Sequence, residues 1–120
     1  MSKTVMIVED YADTREVMRI FVECYGYNVI EAADGYEAIE KSAQFHPDLI
    51  LMDLALPLMD GIAATKIIRK AEGFNKVSIV ALTGFSNTCF EKAIEAGFDD
   101  VLVKPLEFDN LEPLLIHYLS

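Results

Sequence analysis

The sequence predicts an α/β protein built on a doubly wound, five-stranded parallel sheet of the flavodoxin-like type, with five helices. Apolar runs of strand length alternate with helix-period stretches along all 120 residues, a pattern typical of parallel strands joined by helical crossovers. Five such units are too few for the usual barrel of parallel strands, which favours the open sheet. A common order for five strands is 2-1-3-4-5.

The predicted strands are the apolar runs at residues 4–8, 28–32, 49–52, 77–82 and 101–103. The third and fourth runs are apolar almost throughout, as expected for central strands that helices cover on both faces. In the predicted order, the first and third strands lie side by side where the winding of the sheet reverses. Folds of this type bind ligands beyond the carboxyl ends of the strands at that position.

The first predicted helix begins with a capping-box-like pair, Asp13 and Glu16, and ends at Gly26, which readily adopts a left-handed conformation. The second helix covers residues 35–45 and must end before Pro47, because proline disfavours helical geometry in the residue before it. The helical spacing of this segment is carried by apolar residues at Val17, Ile20, Phe21, Cys24 and Tyr25.

Asp60 is predicted to cap the third helix, and Ser86 or Asn87 to open the fourth, which ends at Gly97. The last helix is predicted to begin near residue 110, with its proline in the first turn, where the missing N–H does little harm. One face of the third helix should carry Ala64, Ile67, Ile68 and Ala71, and the buried stripe of the last helix Leu111, Leu114, Leu115, Tyr118 and Leu119.

Composition and charge predict one domain over residues 1–120, cytoplasmic and without membrane insertion. No apolar run approaches the roughly 20 residues that span a bilayer, and the amino terminus lacks an export signal. The net charge of −10 would repel nucleic acid phosphates, which argues against direct nucleic acid binding. Cys24 and Cys89 have no metal-ligand spacing around them and are expected to be reduced, mostly buried thiols.

Polar residues stand at the carboxyl ends of four predicted strands. Glu9 and Asp10 follow the first strand, and Asp53 closes the third. Thr83 closes the fourth strand and Lys104 the fifth, whereas the second strand, at the sheet edge, ends in two alanines. The four strand ends with polar residues are the ones that converge in the predicted order.

This set of residues indicates phosphoryl-transfer chemistry. Three neighbouring carboxylates repel one another unless a cation offsets them, and oxygen ligands alone favour Mg²⁺, with Mn²⁺ as the alternative. Asp53 would attack phosphorus, while Thr83 and Lys104 would hold the phosphoryl oxygens as charge redistributes in the transition state.

The segments that carry these residues resemble the receiver domain of bacterial response regulators, of the chemotaxis-regulator type, over essentially the whole chain. Each segment alone is a weak signal, but the ordered set is specific. The matching segments are Glu9-Asp10, residues 52–61 (Met-Asp-Leu-Ala-Leu-Pro-Leu-Met-Asp-Gly), Thr83-Gly84 and Lys104-Pro105.

The resemblance implies that Asp53 accepts a phosphoryl group from a sensor histidine kinase or a histidine phosphotransfer protein. It implies that Asp10, Asp53 and the backbone carbonyl of Ala55 bind Mg²⁺ directly, with Glu9 acting through a coordinated water, and that the Lys104-Pro105 bond is cis. A downstream protein target or a fused output domain would read the switched surface. The domain would not be an enzyme acting on separate substrates, because it assists only its own phosphorylation and slow dephosphorylation.

One position departs from the family pattern, and two others bear on how long the phosphoryl group would persist. Val101 stands three residues before the lysine, where relatives carry an aromatic residue that takes part in switching. Ala55 and Phe85 flank the phosphorylation site in this family, and neither can orient a water molecule by hydrogen bonding, which predicts slow loss of the phosphoryl group. Gly61 is expected to provide conformational freedom for the turn into the third helix.

Three other classes of protein compete with this interpretation. A flavin-binding electron carrier should have a Ser-, Thr- and Gly-rich first loop, whereas this loop is acidic, and flavin absorbance would decide the matter. An aspartate-dependent phosphohydrolase normally has its nucleophile after the first strand with another Asp two residues on, whereas Asp53 follows the third strand and precedes Ala55. A phosphate-independent receiver-like interaction module usually lacks some of the acidic or lysine residues that this chain has.

Overall fold

A five-stranded parallel sheet forms the centre of the computed structural model, which describes residues 2–71, 77–84, 90–104 and 108–120. The strand order is β2-β1-β3-β4-β5, as the sequence predicts. Val8 pairs with Met52 and Asp53 with Leu82, so the carboxyl ends of the first, third and fourth strands lie in adjacent positions. The strands are β1 Thr4–Val8, β2 Asn28–Ala32, β3 Leu49–Asp53, β4 Ser78–Thr83 and β5 Asp100–Val103.

The sheet separates the hydrophobic core into two parts, and the five helices of the described residues cover its two faces. Alternate strand residues point to opposite faces, and each face packs against its own helices. One face packs against α2, α3 and α4, and the other against α1 and α5. The helices are α1 Ala12–Cys24, α2 Gly35–Phe45, α3 Gly61–Ala71, α4 Phe90–Ala96 and α5 Phe108–Leu119.

Helix α1 differs from its predicted packing. Its buried residues are Met18 and Val22, whereas Val17, Ile20 and Cys24 are exposed. Phe21 and Tyr25 are partly buried and pack against the core, as their place in the predicted pattern indicates. Both sets recur at helical spacing, and packing against the sheet buries Met18 and Val22. The prediction of a buried Cys24 thiol is therefore wrong, and Cys89 lies outside the described residues.

The predicted capping box of α1 is also wrong. The N-cap is Tyr11, whose side chain makes no capping hydrogen bond, and Asp13 lies inside the first turn. An acidic residue there still interacts favourably with the helix dipole. The predicted stop after α1 is confirmed, because Gly26 has a φ of 92°.

The ends of α2, α3 and α4 agree with their predicted capping signals. Asp60 Oδ1 accepts a hydrogen bond from the N–H of Ala63 at 2.8 Å, as a cap of α3 should. His46, before the proline, adopts a left-handed conformation and ends α2. Gly97 has a φ of 113° directly after α4, whereas the predicted start of α4 lies outside the described residues.

The predicted start of α5 and the predicted face of α3 need correction. Helix α5 begins at Phe108, earlier than predicted, so Pro113 lies inside the helix and removes one backbone hydrogen bond there. Its predicted stripe is confirmed, with four buried leucines and a partly buried Tyr118. In α3, Ile67 and Ala71 are exposed; the buried residues are Gly61, Ala64, Thr65 and Ile68.

No helix in the part of the chain that the structure describes has the length and apolar character needed to cross a bilayer.

Candidate functional site

The carboxyl ends of β1 and β3 bring three acidic side chains together. One carboxylate oxygen each from Glu9, Asp10 and Asp53 lies within 4.8 Å of the others. Glu9 and Asp53 are buried, whereas Asp10 is exposed. Such a set of hard oxygen donors, open to solvent at Asp10, fits Mg²⁺.

Lys104, which directly follows β5, reaches across the sheet to two of these carboxylates. Its Nζ lies 2.6 Å from Asp53 Oδ2 and 2.9 Å from Glu9 Oε1. Burial alone would lower the pKa of Lys104, but the hydrogen bonds and charges of Asp53 and Glu9 outweigh it and raise that pKa. The ammonium group therefore stays protonated beside the acidic cluster.

Both the side chain and the backbone of Glu9 have hydrogen-bond partners. Burial raises the pKa of its carboxyl group, against the opposing effect of the Lys104 hydrogen bond. Its Oε2 accepts a hydrogen bond from the N–H of Tyr11 at 3.2 Å. Its own N–H donates to the carbonyl oxygen of Ala32, and its carbonyl oxygen accepts from Arg15 Nη1 at 2.8 Å.

The two carboxylate oxygens of Asp53 have different partners. Oδ2 faces the Lys104 ammonium, and Oδ1 accepts a hydrogen bond from the N–H of Ala55 at 3.0 Å. The loop after β3 is also fixed by the N–H of Leu54, which donates to the carbonyl oxygen of Leu82 on β4. Ala55 therefore lies beside the acidic cluster and helps to orient its central carboxylate.

Thr83, buried at the end of β4, is linked to Lys104 through the backbone. Its carbonyl oxygen accepts a hydrogen bond from the N–H of Lys104 at 2.7 Å. Val101 is partly buried and packs against the core beneath α2, α3 and α4. Phe85 and the Lys104-Pro105 peptide bond lie outside the described residues, so the predictions made for them stay predictions.

The strand ends thus place Glu9, Asp10, Asp53 and Lys104 in one cluster, with Thr83 and Ala55 next to it. Sequence reasoning missed Arg15, which binds the Glu9 carbonyl, together with its ion-pair partner Glu31 on β2. No motif signals this pair, because it depends on side chains from two separate elements.

Comparisons with known proteins agree with this geometry. The sequence model of the response regulator receiver domain matches residues 5–115. The polar-differentiation response regulator DivK of Brucella ovis is 33% identical over 121 residues, which cover 100% of this chain and 98% of DivK.

Two solved structures resemble both the sequence and the fold. The receiver domain of the Pseudomonas aeruginosa sensor histidine kinase PA1611, with a magnesium ion coordinated in its active site cleft, is 32% identical with a TM-score of 0.90 over 98% of each chain. A chain in the co-crystal structure of the Saccharomyces cerevisiae histidine phosphotransfer protein Ypd1 with the receiver domain of Ssk1 is 31% identical, with a TM-score of 0.88, over 98% of this chain and 88% of that one. Topology, site and relatives agree, and the chain belongs to the response regulator receiver domain family of two-component signalling.

Proposed function

We propose that Asp53 is the residue that accepts the phosphoryl group, from a phosphohistidine donor and in a Mg²⁺-dependent reaction. The observation that carries the proposal is the short contact between Asp53 Oδ2 and the Lys104 ammonium, within a cluster of three carboxylates. A buried carboxylate at a strand end, with a cation aimed at it, suits a nucleophile whose product carries additional negative charge.

In the transfer step, a carboxylate oxygen of Asp53 forms a bond to phosphorus as the bond from phosphorus to the donor imidazole breaks. The electron pair of the broken bond leaves with the imidazole nitrogen. Lys104 and Thr83 stabilise the phosphoryl oxygens, because preorganised donors act strongly on charge that develops in a partly buried site. The contact of Asp53 Oδ1 with the N–H of Ala55 orients the carboxylate for this attack.

The acidic cluster is the proposed Mg²⁺ site, and the same oxygen donors would accept Mn²⁺. Asp10, Asp53 and the carbonyl of Ala55 are the proposed direct ligands, and Glu9 would act through water. The ion would neutralise charge on the phosphoryl oxygens.

The domain would modify itself and not turn over a separate substrate. The acceptor is its own side chain, and hydrolysis of the resulting acyl phosphate needs a water positioned in line with the phosphorus. The methyl group of Ala55, two residues from Asp53, offers no hydrogen bond for such a water. Slow dephosphorylation is therefore part of the proposal, as is the predicted cytoplasmic location.

The proposed phosphodonor is a histidine phosphotransfer protein or a sensor histidine kinase, the first being the kind of partner seen with the Ssk1 receiver domain. Helix α1 begins two residues after Asp10, and apolar side chains at its N-cap and along its length are exposed. Tyr11 is 62% exposed, Val17 48% and Ile20 45%. We assign the donor to this surface, because exposed apolar residues on a helix that begins next to the acidic cluster favour protein docking.

Phosphorylation would then change the surface that a downstream protein or a fused output domain reads. A phosphoryl group adds about −1.5 to −2 charges and new acceptor oxygens, which would draw the Thr83 hydroxyl inward. The carbonyl oxygen of Thr83 accepts a hydrogen bond from the N–H of Lys104, which directly follows β5. β5 would therefore respond to this movement. Val101, on β5, would transmit it through packing in place of an aromatic side chain.

The deciding experiment is incubation with Mg²⁺ and acetyl phosphate, followed by intact mass measurement. The parent should gain one phosphoryl group and Asp53→Asn none, and chelation of Mg²⁺ should prevent labelling. Equal labelling of both proteins would place the acceptor elsewhere. Absence of labelling in a folded parent would favour a phosphate-independent receiver-like interaction module.

A further inference from the structure

Arg15 connects the acidic cluster to the edge strand of the sheet. From the first turn of α1, its Nη1 donates to the carbonyl oxygen of Glu9 at 2.8 Å, and its Nε donates to Glu31 Oε1 on β2 at 3.1 Å. The Arg15 side chain is only 21% exposed. One guanidinium group therefore bridges the loop after β1 and the strand that contributes no carboxylate to the cluster.

Glu31 is itself held in place. Its backbone is paired with Ile7 in the β1–β2 register, and its carbonyl oxygen accepts a hydrogen bond from Lys41 Nζ at 2.6 Å. Its second carboxylate oxygen lies 3.7 Å from Arg19 Nε. Glu31 is thus a fixed anchor for the Arg15 guanidinium.

The Glu9 carbonyl belongs to the peptide group that joins Glu9 to Asp10. A charged donor on that oxygen fixes the plane of the peptide, and the N–H of Glu9 is fixed by the carbonyl oxygen of Ala32. The directions in which the Glu9 and Asp10 side chains leave the backbone are set by this peptide. Partners that orient metal ligands from outside typically alter metal affinity about 10–100-fold when they are lost.

We propose that Arg15, anchored by Glu31, is a positioning residue that orients the Glu9 and Asp10 carboxylates for Mg²⁺. The inference rests on the proposed function, since it assumes that these carboxylates bind the ion. It goes further in giving β2, the strand outside the acidic cluster, a part in building the site.

Electrostatics and positioning predict opposite effects when the guanidinium is removed. Arg15 is a cation next to a cation site, so loss of its charge alone should tighten Mg²⁺ binding. Loss of its hydrogen bond to the Glu9 carbonyl should weaken Mg²⁺ binding. The direction of the change in Kd therefore separates the two roles.

The test measures the Kd for Mg²⁺ by isothermal titration calorimetry at physiological ionic strength. Arg15→Met should raise the Kd about tenfold. Glu31→Ala should also raise it, by releasing Arg15 and by removing a nearby negative charge. Arg15→Lys keeps the charge and one donor, so its Kd should fall between those of the parent and Arg15→Met. Lys70→Met is the control for loss of a cation, because Lys70 is exposed in the last turn of α3; its Kd should not rise.

Far-UV circular dichroism and urea unfolding without Mg²⁺ establish that each variant is folded. Arg15→Lys, which keeps the positive charge, decides the question should Arg15→Met fail to fold, because its Kd should still rise above that of the parent. If the parent binds Mg²⁺ and is labelled at Asp53, whereas folded Arg15→Met or Arg15→Lys has an unchanged or lower Kd, the proposed role of Arg15 is wrong and the proposed function stands. A folded parent that neither binds Mg²⁺ nor is labelled would overturn the proposed function itself.

Discussion

Gly61 lies so close to the backbone carbonyl of Asp53 that a Cβ at position 61 would collide with that oxygen. The N–H of Gly61 also donates to the carbonyl oxygen of Leu54 at 3.2 Å. The start of α3 is thus packed directly against the end of β3. The sequence predicted a glycine needed for turn flexibility, whereas the structure shows a glycine needed for space.

Gly61→Ala should therefore disturb the site as well as the fold. The added methyl group must push α3 or the Asp53 carbonyl away, and overpacking of this kind costs about 1–3 kcal/mol. We expect a lower free energy of unfolding in urea and slower labelling by acetyl phosphate. Gly84→Ala is the stability control, since the described surroundings leave its Cβ in open space; equal stability of the two variants would contradict the prediction.

The strand order and most of the site could be predicted because they depend on backbone topology. Apolar runs and connection type determine where each parallel strand ends, and Glu9, Asp53 and Lys104 each stand directly at a strand end. No knowledge of side-chain conformation was needed to bring them together. The same argument placed Thr83 beside Lys104.

Features that depend on choices between similar side chains could not be predicted. In α1, the set with Met18 and Val22 and the set with Val17 and Ile20 both recur at helical spacing, and only packing against the sheet decides between them. The Arg15–Glu31 pair joins α1 to β2 through two long side chains, and hydrophobic periodicity carries no information on such a contact.

Lys104→Met should separate metal binding from phosphoryl transfer. The Lys104 ammonium competes with a metal ion for the Asp53 and Glu9 carboxylates, so its removal should lower the Kd for Mg²⁺. The same change removes a cation that stabilises the transition state, so labelling by acetyl phosphate should slow by about 10²-fold or more. Calorimetry and intact mass give the two values, and a folded variant with weaker Mg²⁺ binding would refute the competition.

Ile20→Asp should interfere with the phosphodonor protein while leaving the chemistry intact. Ile20 is 45% exposed on α1, and a charge there would disfavour apolar docking. We expect transfer from a histidine phosphotransfer protein to slow about tenfold, which corresponds to ~1.4 kcal/mol, with unchanged labelling by acetyl phosphate. Ile116→Asp on α5, where the parent residue is 54% exposed, is the matched control. Equal slowing of both variants would contradict the assignment of the docking surface to α1.

Arg69→Met should destabilise the fold near the amino ends of β4 and β5, away from the acidic cluster at their carboxyl ends. The Arg69 guanidinium donates to the carbonyl oxygens of Gly97 and Val77 at 2.8 and 2.5 Å and to Asp99 Oδ2 at 2.8 Å. It joins α3 to the segments that lead into β4 and β5, and its side chain is 16% exposed. Loss of charged hydrogen bonds that leave partners unsatisfied costs about 1.5–3 kcal/mol.

The measurement for Arg69→Met is the free energy of unfolding in urea without Mg²⁺. Arg19→Met is the comparison, since the exposed ion pairs of Arg19 should contribute less than about 1 kcal/mol. Labelling of Asp53 at saturating acetyl phosphate should be the same in Arg69→Met and the parent under folding conditions. Similar stability of the two arginine variants would show that the Arg69 contacts add little to the fold.

Tyr118 should be identifiable in an alkaline titration. Burial, followed by the charge of Asp100, raises its pKa to about 12, and its hydroxyl group donates to Asp100 Oδ2 at 3.2 Å. Because the pKa is higher in the folded state, the stabilisation is complete below the ordinary pKa of 10.0 and is lost as pH rises through about 12. Absorbance at 295 nm should therefore show a late tyrosinate step in the parent, with circular dichroism to follow the fold. Tyr118→Phe should lack that step and Asp100→Asn should shift it to lower pH, whereas a step that persists in a folded Tyr118→Phe variant would assign it to another tyrosine.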